Sequence, residues 1–190
     1  MKLEQLRESI QGFQPSDYGR VARSGETYVM TERFTRRVVM MAVRMYRRME
    51  RLDQTARLLR DLAEWALRRY HGYAIKERLG KPGAHYRDAS ISVNENKGLV
   101  FEHVIPVRYL LNALIQDRIT VELAMNPPTC ILRKQDDSRL EDLGLGDSTP
   151  DPWQFWQRYQ ALDLDIVTHD GTAVDQSTWD LGTHIHHFGI

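Results

Sequence analysis

Glu102 and His103 stand side by side ahead of Val104-Ile105-Pro106, and further along Asp136 and Asp137 follow the run Thr129-Cys130-Ile131-Leu132-Arg133-Lys134-Gln135. An imidazole titrates near neutrality, so His103 needs no extreme tuning to take a proton from water. A carboxylate holds a hard divalent cation with few protein groups, leaving positions for water and phosphate. Together these residue types suit hydrolysis of a phosphodiester, which needs a water nucleophile, a base and positive charge on the phosphate. Each has a plainer alternative. A strand-end histidine can bond to the adjacent carboxylate or to solvent. Acids at a helix start are favoured by the helix dipole.

The elements that must position these residues follow from periodicity and punctuation. Leu99 to Ile105 reads as a strand that Pro106 ends, and 129–132 is β-branched and apolar, a second short strand. Residues 89–93 read as a strand that forms a hairpin with 99–105 through Asn94-Glu95-Asn96-Lys97-Gly98, with Gly98 available for a positive φ. The spacing predicts helices over 107–116 and 135–143, while Asn126-Pro127-Pro128 must be loop. Pro152 is placed to open a helix carrying Trp153, Trp156, Tyr159 and Leu162. Upstream, a helix is expected from Thr31, which could cap it, and another over 53–70 with Asp53 as its cap.

The order of strand with Glu102-His103, loop with Asn126, strand at 129–132 and helix with Asp136 and Asp137 resembles the HNH endonuclease family, whose core is a ββα-metal finger. The resemblance implies that His103 is the general base and that Asn126 orients it. It implies Glu102 and Asp137 as metal ligands, with Asp136 the rival of Asp137. It extends to a subgroup through Arg133-Lys134-Gln135-Asp136-Asp137-Ser138-Arg139-Leu140, Asp151-Pro152-Trp153 and Arg158-Tyr159, and so covers residues 99–166. Asp137 departs from the pattern, standing where that subgroup has a histidine. Aspartate is itself a hard-metal ligand, so Mg²⁺ or Mn²⁺ is the implied cofactor. The zinc-knuckle cysteines of many family members are absent.

The net charge is zero but unevenly spread. Residues 31–81 hold 14 Lys and Arg against 6 Asp and Glu, while 141–190 hold 1 Arg against 9 acids. Arg44, Arg47, Arg48 and Arg51 lie three or four apart and share a helix face suited to a nucleic-acid backbone. The acidic region offers a surface for a protein partner. His184 and His186 would share a face on an extended strand and could chelate a metal. His169-Asp170-Gly171 reads as a turn, and Trp153 and Trp156 as core or partner contacts.

The single cysteine, Cys130, excludes an intrachain disulfide and a cysteine zinc cage. No apolar run approaches the roughly 20 residues of a membrane span, and the first residues lack a secretion-signal core, so a cytoplasmic protein is expected. There is no Walker loop, dinucleotide glycine pattern or nucleophile elbow. The expected architecture is α+β: a helical region over 1–88, a small ββα-metal-like module with helical additions over 89–167, and an acidic, histidine-containing extension over 168–190. The expected function is metal-dependent endonucleolytic hydrolysis, DNA ahead of RNA. The alternative is a catalytically degenerate nuclease-like fold that binds or inhibits a protein.

Overall fold

The computed structural model describes residues 25–49, 54–80, 83–146, 148, 151 and 153–190. The architecture is α+β, with seven helices and a four-stranded mixed sheet among the described residues. Two long helices come first, α1 (Gly25–Tyr46) and α2 (Gln54–Leu79). The short strand β1 (Tyr86–Asp88) leads to β2 (Leu99–His103), α3 (Val107–Ile115) and α4 (Val121–Met125). Then come β3 (Thr129–Arg133), α5 (Lys134–Asp142), α6 (Gln157–Gln160), β4 (Ile166–Thr168) and α7 (Leu181–Phe188).

Apolar faces decide how these elements pack. Val39 and Val43 of α1, with Leu59, Ala63 and Leu67 of α2, are buried against Val107, Leu111 and Leu114 of α3. Leu110, on another face of α3, packs instead with Tyr86, Cys130, Leu132, Leu140, Phe155 and Tyr159. Helix α3 is therefore shared between the helical layer and the sheet. Along β3 the pleat alternates, with Cys130 and Leu132 in this second core and Ile131 packed with Ala84 and Ile91 on the opposite side.

The sheet order is β2-β3-β1-β4, so β2 is an edge strand. β2 runs antiparallel to β3 with Glu102 opposite Cys130 and His103 opposite Thr129. β1 is parallel to β3 and antiparallel to β4. Helix α5 follows β3 without a gap, which gives the strand–strand–helix order around Glu102-His103.

Several expectations are corrected. Residues 89–93 form no strand and no hairpin with β2. Asp88 Oδ1 accepts from the Ser90 amide at 2.8 Å and the Asp88 carbonyl from Ile91 at 3.0 Å, which turns the chain away from the sheet. Gly98 does adopt a positive φ of 68°. Thr31 is no cap, because α1 is already helical from Gly25. Helix α2 continues past Tyr70 to Leu79, and Asp53 lies outside the described residues. Pro152 lies outside the described residues, and residues 153–156 make turns, with regular helix only at Gln157–Gln160. The division at 88/89 and 167/168 has no counterpart in the sheet: β1 belongs between β3 and β4, and the second boundary cuts β4. His184 and His186 sit on α7, not on a strand, so they do not share a face; His184 is buried and His186 exposed. The turn at His169-Asp170-Gly171 is present, with Gly171 at φ 94°. Trp156 is core.

Candidate functional site

The four consecutive residues Val100, Phe101, Glu102 and His103 all line one open cleft of about 430 Å³. Successive strand side chains point to opposite faces, so a cleft touching all four must run along the free edge of β2. Its other walls are the start of α3 with Pro106, Val107 and Arg108, the α5 face carrying Asp137 and Glu141, and Arg68 from α2. Asp137 and Glu141 are four apart and so fall on one side of α5. Asp136 turns inward instead. It is buried and pairs with Arg139 at 3.1 Å. The structure thus brings Glu102, His103 and Asp137 to one cleft and leaves Asp136 out of it.

His103 is held from behind. Its Nε2 lies 2.9 Å from Nδ1 of His71, a fully buried residue of α2. His71 Nε2 lies 2.9 Å from the carbonyl of Ala124 in α4. A carbonyl only accepts, so His71 donates from Nε2. Burial holds His71 down to about 3, so it is neutral at ordinary pH and its Nδ1 is bare. His103 must then donate from Nε2, which leaves Nδ1 as its bare nitrogen. That atom has no protein partner among the described residues. Burial, then the nearby His71, Arg68 and Arg158, keep His103 well below the ordinary histidine value, so it is neutral at ordinary pH.

Glu102 points to the other face of the strand. Its Oε1 accepts from Arg158 at 2.5 Å and its Oε2 from the Tyr159 hydroxyl at 3.3 Å. Arg158 is wholly buried and also donates to the carbonyls of Leu145, Gly146, His103 and Val104. It thereby ties the loop after α5 to the strand end and shapes the cleft. Burial pushes the Glu102 carboxyl up to about 7 against the pull of Arg158, and the charge of Asp137 pushes the same way.

Asn126 is not brought to His103. It follows α4, where its Oδ1 accepts from Arg78 at 2.7 Å and its Nδ2 donates to the Glu122 carbonyl at 3.0 Å. The backbone group that orients the histidines is the carbonyl of Ala124. The basic face of α1 also divides. Arg44 and Arg48 are exposed and line a hollow with Arg36 and Arg37, away from the cleft. Arg47 instead caps α3, donating to the carbonyls of Leu114 at 2.6 Å and Ile115 at 2.8 Å and pairing with Asp117. Arg51 lies outside the described residues. The arginines that do line the cleft are Arg68, paired with Glu64 at 2.8 Å, and Arg108, whose buried Nε has no hydrogen-bond partner among the described residues.

Sequence reasoning therefore missed His71, Arg68, Arg108 and Glu141, and it quoted Arg158-Tyr159 without giving them a role. One signal for His71 was available. It sits on the apolar stripe of α2 with Leu67, Ala74 and Ile75, and a histidine at a core position must find partners for both nitrogens.

Among the described residues, no three His, Cys, Asp or Glu side chains form a group that would hold a metal ion. That does not fit a closed structural site, which needs about four protein ligands. An open Mg²⁺ or Mn²⁺ site takes only one or two carboxylates; Asp137 at the cleft is one, and Glu102 would join it only by exchanging its contacts with Arg158 and Tyr159. No helix among the described residues is long and apolar enough to cross a membrane. Comparison with family models, with curated proteins and with solved structures finds no match to this chain.

Proposed function

We propose that this protein is a divalent-metal-dependent endonuclease, resembling the HNH family, with the cleft along β2 as its active site. One observation carries the reading. The pairing of His103 opposite Thr129 and the helix that follows β3 put Glu102, His103 and Asp137 at one open cleft, with the bare Nδ1 of a neutral His103 free to act. His103 Nδ1 takes the proton of the attacking water, the water oxygen bonds to phosphorus, and the bond to the sugar oxygen breaks, that oxygen taking a proton from solvent as it leaves. Arg108 and Arg68 offset charge on the phosphate. Glu102 and Asp137 would hold the Mg²⁺ or Mn²⁺, which would supply Lewis-acid polarisation of the phosphate. DNA is the substrate we favour over RNA, in a cytoplasmic setting, with the exposed Arg44 and Arg48 as outlying backbone contacts.

The test is cleavage of supercoiled plasmid and of a structured RNA with Mg²⁺, Mn²⁺ or EDTA, comparing wild type with His103→Ala. The expected result is metal-dependent cleavage that falls by about 10²–10⁴-fold in the variant. A folded wild-type protein that cleaves neither substrate with either metal overturns the reading.

A second reading has its own support. Both oxygens of Glu102 are engaged by Arg158 and Tyr159, and Asp137 stands in place of a histidine. A nuclease-like scaffold that has lost catalysis and binds or inhibits a protein through its acidic 141–190 region accounts for both. It is the reading that stands if cleavage is absent.

A further inference from the structure

We infer that His71 is the positioning residue of this site: through the directional chain Ala124 carbonyl, His71, His103, it fixes the His103 tautomer so that Nδ1 is the bare nitrogen offered to the cleft. The inference deepens the endonuclease reading and takes from it the role of His103 as base. It rests on geometry. Two contacts of 2.9 Å run in series, and the chain ends on a carbonyl that can only accept; with the fully buried His71 neutral, this fixes the direction of both hydrogen bonds. The rings are 5.0 Å apart and tilted by 56°, so they meet through nitrogens and do not stack. His71 comes from α2 and Ala124 from α4, so the tautomer depends on the docking of the helical layer against the sheet edge.

A merely structural His71 would need only to fill its space and satisfy its own nitrogens. The chain does more, because it presents a bare acceptor to His103 Nε2. Without that acceptor the inner Nε2–H of His103 is a buried donor with no partner, which costs free energy. The proton then moves to Nδ1, where water in the cleft can accept it, and the nitrogen needed as a base is blocked.

The experiment is ¹⁵N–¹H imidazole spectroscopy of ¹⁵N-histidine-labelled full-length protein, with His103→Ala used to assign the signals. In wild type, His103 is expected to show a protonated Nε2 and an unprotonated Nδ1; the reverse overturns the proposal without any variant at His71. His71→Gln keeps an amide N–H for Ala124 and a carbonyl oxygen for His103, whereas His71→Leu removes both. Gln is expected to preserve the His103 pattern and to cleave within about tenfold of wild type. Leu is expected to shift the His103 proton to Nδ1 and to lower kcat by about 10²-fold with KM unchanged. An unchanged His103 pattern in folded His71→Leu overturns the proposal, as does a Gln variant that behaves like Leu. If the folded wild type cleaves nothing, the nuclease reading fails by itself, and the imidazole spectra still decide what His71 does.

Discussion

Arg158 is an unusual residue to find with no exposed surface, and its surroundings explain how the charge is tolerated. Its guanidinium reaches one carboxylate and four backbone carbonyls, so its donors are met in a place water does not reach. The pair with Glu102 need not be a net gain, since burying two charges is itself costly. Removing one partner is a different matter. Arg158→Met is expected to cost about 3–5 kcal/mol, because it strands Glu102 beside Asp137 and releases the 145–146 loop. The double variant Glu102→Met, Arg158→Met is expected to lose less than the two single losses added together, with a coupling of about 1–3 kcal/mol. Urea denaturation of the four proteins measures this. Additive losses within about 0.5 kcal/mol would show that Arg158 acts only through the carbonyls.

At the scale of elements, the tail after β4 is informative because its ends are locally encoded. Asp180 caps α7, accepting from the Thr183 amide at 2.8 Å, and Gly189 closes it in the left-handed region at φ 64°. His184 on that helix meets the Tyr86 hydroxyl at 2.8 Å and so docks α7 on the sheet. Asp180→Ala is expected to cost about 1 kcal/mol, read as a lower urea midpoint with unchanged m. A loss below about 0.2 kcal/mol would mean that docking alone holds the helix. Those cap residues were visible in the sequence, yet His184 and His186 were weighed on an extended strand because the histidines and glycines hid the short apolar face of a helix. The β2, β3 and α5 elements were legible because each carries its own pattern: a β-branched run, a proline stop, a helix start. β1 and β4 have three residues each, too few to show alternation, and their pairing is decided by partners far along the chain. The same reason hid His71. Its partner His103 is 32 residues away, and only the packing of α2 on the strand end makes them neighbours.

For the molecule as a whole, the histidines set the acid limit of the fold. Four of the seven, His71, His85, His103 and His184, lie well below their ordinary value, with burial the largest cause in each case. In the unfolded chain each takes a proton near pH 6.5, while the folded protein resists, with His71 and His184 holding out to about 3. The unfolded state therefore binds more protons below pH 6.5, and stability falls as pH falls. Glu102 works in the opposite sense. Its folded value of about 7 exceeds the ordinary carboxyl value of 4.5, so its contribution is present at low pH and is lost as pH rises through 7. Four depressed histidines outweigh one raised carboxyl. Stability should decline by roughly 4 kcal/mol per pH unit near pH 5.5, a steep slope against a typical total of about 5–15 kcal/mol. Urea midpoints between pH 7.5 and 5 measure the slope, and His71→Gln should flatten it by the share of one proton. A midpoint that holds steady or rises on acidification would mean that the buried histidines accept protons in the folded state. The bare nitrogen of His103 would then be filled before the fold gave way.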